Sequence, residues 1–175
     1  MPDHHHDHPH KREIRVSFEE FLEQFPELPL PVILNEEAAH DFSKENEVLN
    51  SLIIDQYFLP LEGEMDELTE IVPCFRFPKT KDFHAIVYWK AGLMQYYFIL
   101  VTISPQGVLI DRRVLAGTFV EGDIVTQSVA TIDEDWIITV VTGQARSGRG
   151  ALYDASTSKT TSFEVMPDGS IIDNE

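Results

Sequence analysis

The sequence predicts an α+β fold, with N-terminal helices packed on an antiparallel β-meander of about seven to eight strands. Three observations predict it. Apolar residues recur at helical spacing early in the chain, and the period falls to two from Ile71 onward. The strand candidates after Ile71 are joined mostly by turns too short for crossovers, so consecutive strands must be antiparallel neighbours. Apolar residues make up 43% of the 175 residues and include 11 Phe, which is enough for a core in one domain.

Residues 1–12 are read as a flexible arm, and residues 13–175 as one globular domain, mainly helical and acidic over 13–70 and mainly β over 71–175. Ser17-Phe-Glu-Glu20 fits a capping box, and Phe18, Phe21, Leu22 and Phe25 follow at helical spacing until Pro26 stops the helix. The prolines of Phe25-Pro-Glu-Leu-Pro-Leu-Pro31 dictate an extended segment. It suits an SH3-type ligand or a tie in which Leu28 and Leu30 hold the helix to the core. Asn35 can cap a helix over 36–50, with Glu36 and Glu37 in its first turn, where the helix dipole favours negative charge. Residues 53–61 are apolar and β-compatible, and a short acidic helix is expected over 64–69.

Strands are expected at 71–77, 83–90, 93–104, 108–118, 124–132 and 136–142, with short final strands at 151–155, 160–166 and 170–172. Ala91-Gly92, Pro105-Gln-Gly107, Glu121-Gly-Asp123, Asp133-Glu-Asp135 and Pro167-Asp-Gly169 supply the turns. The stretch 93–104 is apolar on both faces, so it belongs in the centre with a helix laid over one side.

Charge narrows the partners. Thirty acidic against 13 basic residues give a net charge of −17. Nucleic acid is not expected as a direct partner, because phosphate binding needs Lys and Arg to displace counterions. An anionic membrane surface is disfavoured for the same reason. The imbalance lies mostly in residues 13–73, with 16 acids and 2 bases, whereas residues 74–175 have 12 acids and 9 bases. The absence of an apolar h-region and of a long apolar run leads to the expectation of a cytoplasmic protein. A single cysteine, Cys74, excludes an intramolecular disulfide.

Candidate chemistry is sparse. His4, His5, His6, His8 and His10 could chelate Zn²⁺ or Ni²⁺ adventitiously, since imidazole suits both, and no other cofactor is expected. Gly143-Gln-Ala-Arg-Ser-Gly-Arg-Gly150 approaches a phosphate loop, but Arg149 stands at the lysine position and strand-like residues follow. Arg146 and Arg149 remain candidates for an anion or an acidic peptide. Cys74 and His84 could form a nucleophile–base pair, though core packing is the commoner fate of a cysteine. Acids cluster at Glu62, Glu64, Asp66 and Glu67, and again at Asp133–Asp135, without the calcium-loop pattern.

Phe25-Pro-Glu-Leu-Pro-Leu-Pro31, Tyr97-Phe-Ile-Leu-Val-Thr-Ile103, Ser104-Pro-Gln-Gly107, Ile110-Asp111-Arg112 and the Pro167-Asp-Gly169 turn form a recognisable series. It resembles a group of bacterial proteins of unknown function that share an "FP…LP" opening and an antiparallel strand–turn–strand core. The resemblance implies the fold and no activity.

The functional expectation is a non-enzymatic interaction module, such as an acidic immunity- or inhibitor-type protein that masks a basic partner. Glu36, Glu37, Glu64, Asp66 and Glu67 would form its acidic surface. Tyr88 and Tyr96, from the aromatic patch on adjacent strands, would add a docking face. The alternative is a small-ligand-binding protein or enzyme with a pocket between helices and sheet.

Overall fold

A computed structural model describes residues 15–63, 65–146 and 153–174, with the side chains of 153–156 left aside. The described residues form an antiparallel sheet of nine strands and a few short helices.

Helix α1, Phe18–Glu23, begins where the capping box places it, with the Ser17 hydroxyl accepting the Glu20 N–H at 3.1 Å. Strand β1, Val32–Leu34, follows the proline segment, whose Leu28 and Leu30 pack against the core. Helix α2, Glu36–Glu45, is capped by Asn35, which accepts the Ala38 N–H at 2.9 Å. Helix α3, residues 51–62, is composite: Ser51–Ile53 and Leu59–Glu62 are α-helical, and Ile54–Phe58 between them is a π-helix. This stretch is helical and not β because Asn50 caps it and the helix turns Ile53 and Phe58 to the core while Leu52 and Leu59 stay exposed. Ile53 and Phe58 are both buried, and five residues bring them to one face only where the helix is widened. Pro60 contributes as well, since it lacks the N–H a regular helix would use there. The expected helix at 64–69 is instead a turn in its described part, in which the Asp66 carboxylate accepts the Leu68 N–H and the Thr69 hydroxyl.

The strands β2 (Glu70–Arg76), β3 (His84–Gly92), β4 (Gln95–Ile103), β5 (Leu109–Glu121), β6 (Ile124–Ile132), β7 (Ile137–Arg146), β8 (Tyr153–Val165) and β9 (Ile171–Asn174) follow in meander order. The two separate strands expected within 151–166 are one strand, β8. β1 pairs with the end of β6, Leu34 opposite Ala130, where β6 has left β5. The sheet curls until its last hairpin meets the free edge of β5. There the Asp111 carboxylate accepts the Ile171 N–H at 2.9 Å, and the Thr102 hydroxyl donates to the Gly169 carbonyl at 2.6 Å.

Two apolar clusters result. The inner one joins Phe98 and Leu100 of β4 to Ile132, Ile138 and Phe163 across the curl, with Phe42 of α2. The other lies on the opposite face of β2–β4, where Ile99, Val101 and Ile103 meet Phe21 of α1, Phe25 just after it, and Ile53 and Phe58 of α3. β4 is therefore covered on both sides from Phe98 onward, as its apolar residues on both faces predict.

Candidate functional site

Between α2 and the strands β3–β6 lies an open cavity of about 700 Å³. Its helical wall carries Glu36, Glu37, His40 and Ser43, and its sheet wall carries Trp89, Tyr96 and Phe98, then Gly117, Thr118 and Gln127. Trp89 and Tyr96 come together by register. Ala91 pairs with Tyr96 and Trp89 with Phe98, so alternation places Trp89 and Tyr96 on one face as diagonal neighbours. Their rings stack with centroids 5.9 Å apart and planes 20° apart. Tyr96 keeps 38% of its surface exposed, whereas Phe98 beneath is buried. Gly117 lets β5 approach β4 here: a Cβ at that position would lie 1.9 Å from the Tyr96 carbonyl oxygen.

Glu36 and Glu37 stand exposed at the rim. The Gln127 amide donates to the Glu36 carboxylate at 3.3 Å. Neither glutamate forms an ion pair with a described residue, and no Lys or Arg lines the cavity. An unneutralised pair of carboxylates beside two aromatic rings attracts cations. The Ser43 hydroxyl donates to the Ala39 carbonyl at 2.9 Å, so no base holds its proton.

A second carboxylate is placed quite differently. Glu62 closes α3 with its side chain only 2% exposed. It accepts hydrogen bonds from the Tyr88 hydroxyl, from Lys90 Nζ at 2.9 Å, and from Arg112 Nε and Nη2 at 3.0 and 2.8 Å. Burial alone would raise the Glu62 pKa; the Tyr88 and Lys90 hydrogen bonds and the Arg112 guanidinium outweigh it and hold the carboxyl below its ordinary value of 4.5. Burial and the adjacent carboxylate push the Tyr88 hydroxyl far above its usual range. This network fastens α3 to β3 and β5.

The structure separates the residues grouped from sequence. Glu36, Glu37 and Tyr96 share the cavity. Tyr88 is corrected from docking face to interior, because it lies on the opposite face of β3, fully buried and bonded to Glu62. Asp66 and Glu67 are exposed at the turn after α3 and do not line the cavity. Arg146 is exposed at the end of β7, opposite Ile124. His4, His5, His6, His8, His10, Glu64 and Arg149 lie outside the described residues. Among the described residues no group of three or more His, Cys, Asp and Glu side chains could hold a metal. Cys74 is buried in the inner cluster, while His84 lies edge-on to Phe18 beside the other, so the two do not pair.

Sequence reading missed His40, Thr118 and Gln127 as cavity walls. It also missed the partners of Glu62, although Tyr88 and Lys90, two apart on a strand, share a face. Among the described residues no helix is long and apolar enough to cross a membrane. Comparison with protein-family models, curated proteins and solved structures gives no match.

Proposed function

We propose that the protein is a non-enzymatic binding module whose cavity between α2 and the sheet receives a basic segment of a partner protein, as an immunity- or inhibitor-type protein would. One observation carries this reading: Glu36 and Glu37, with no Lys or Arg in the lining, share an open cavity with the Trp89–Tyr96 stack. The net charge of −17 would speed the approach of such a partner, and the cavity would fix where it docks.

Titration of a Lys/Arg-rich decapeptide into the full chain tests it. Binding should weaken as salt rises, and E36K/E37K should weaken it at least about tenfold, the scale of losing close charge pairs. Unchanged affinity in E36K/E37K overturns the reading.

A second reading has one observation in its favour. The cavity volume of about 700 Å³ falls in the range of small-molecule sites. A small organic cation would use the same carboxylates and rings. It would bind with similar affinity whether free or carried on a peptide.

A further inference from the structure

Building on the basic-partner reading, we infer that the Trp89–Tyr96 stack is the seat of an arginine side chain. Tyr96, 38% exposed and stacked on Trp89 with the planes 20° apart, offers an aromatic face at the wall of a cavity. A planar guanidinium lies against such a surface with most of its area in contact, whereas a compact ammonium touches it at one point. Across the cavity stand the Glu36 and Glu37 carboxylates, each able to accept two parallel N–H bonds from a guanidinium.

The other ligand chemistries fit worse. An anion would meet two carboxylates and no Lys or Arg in the lining. A purely apolar group would use the rings and make nothing of the two carboxylates. Lysine satisfies the charge, but its ammonium is more strongly hydrated and loses more on leaving water. Among protein side chains, the guanidinium makes the fullest use of both the rings and the carboxylates.

The test uses the full chain labelled with ¹⁵N and observes its two indole N–H signals, that of Trp89 assigned by its loss in W89F. Trp136, which does not line this cavity, serves as the internal reference. The probes are the tripeptide amide acetyl-Gly-Arg-Gly-NH₂ and its lysine and citrulline counterparts. The arginine probe should shift the Trp89 signal at least about tenfold more tightly than the lysine probe, and leave Trp136 in place. Citrulline, which keeps the shape without the charge, should give no shift. Y96F should keep the preference and Y96A should lose it, which separates stacking from a requirement for the hydroxyl. Equal affinity for arginine and lysine, both lost in E36Q/E37Q, overturns the arginine seat and leaves the basic-partner reading standing. Failure of both charged probes to shift Trp89 at low salt overturns the two together.

Discussion

The carboxylate of Glu62 is buried beneath Tyr88, Lys90 and Arg112, whereas those of Glu36 and Glu37 stand at the mouth of a cavity lined by no Lys or Arg. Both sites lie between a helix and the sheet, on opposite faces of β3. The difference shows what each acidic site does. A carboxylate matched to donors by the protein's own chain stabilises the fold it belongs to. A pair left without cations adds little to stability, and its charge remains available to something outside. Acidic composition alone cannot separate these roles, because each of the three glutamates counts equally toward the net charge.

The comparison breaks most visibly at Glu62. E62A would leave Lys90, Arg112 and Tyr88 without their shared acceptor. Removing one partner of a buried pair costs ~3–5 kcal/mol. Lys90 and Arg112 side chains are 26% and 32% exposed and can recover some hydration. The expected loss is therefore about 2–4 kcal/mol, measured by urea unfolding at neutral pH. A loss under about 0.5 kcal/mol, the level of an ordinary surface change, would remove the distinction between the two sites.

Acid sharpens the same comparison. The folded-state pKa of Glu62 is depressed, so its contribution is fully present above the unfolded value near 4.5. It is lost as pH falls from there through the lower folded value. The stability gap between wild type and E62Q should accordingly hold from neutral pH down to about 5 and narrow below 4.5. A gap that stays constant down to pH 2 would mean that Glu62 titrates alike in the folded and unfolded chains.

The smallest effect on stability is expected at the cavity. E36Q/E37Q removes two favourable charges from the first turn of α2, at about 0.3–1 kcal/mol together when exposed and screened. Thermal unfolding should therefore shift by only a few degrees, although the affinity for basic peptides falls.

Much of this fold was legible in the sequence, because local chemistry decides much of it. Ser17 and Asn35 cap the helices they precede, and alternation marks most of the strands. Alternation also separates Tyr88 from Tyr96. With the turn at Leu93-Met94, Tyr96 pairs with Ala91 and so shares a face with Trp89; a turn at Ala91-Gly92 shifts the pairing by an even number of residues and keeps that grouping. Treating the two tyrosines as one patch overlooked this parity. What stayed hidden depends on distant partners. Val32–Leu34 becomes a strand only because β6, about a hundred residues later, offers it an edge. Ile53 to Leu61 reads as β by composition, and its helix depends on packing of Ile53 and Phe58 beneath α1. Glu62 is one acid among several in its stretch of sequence, and only Lys90 and Arg112, from β3 and β5, single it out.

The most direct test of a cavity-specific acidic site compares two charge reversals that change net charge equally. E36K/E37K alters the cavity rim, and E19K/E23K alters exposed positions on α1 that do not line it. Each is titrated with the same Lys/Arg-rich decapeptide at one fixed ionic strength. The expected result is at least about a tenfold loss of affinity in E36K/E37K, with a much smaller loss in E19K/E23K. Equal losses in the two variants would mean that the peptide senses only the overall negative field, and the cavity would have no special part in binding.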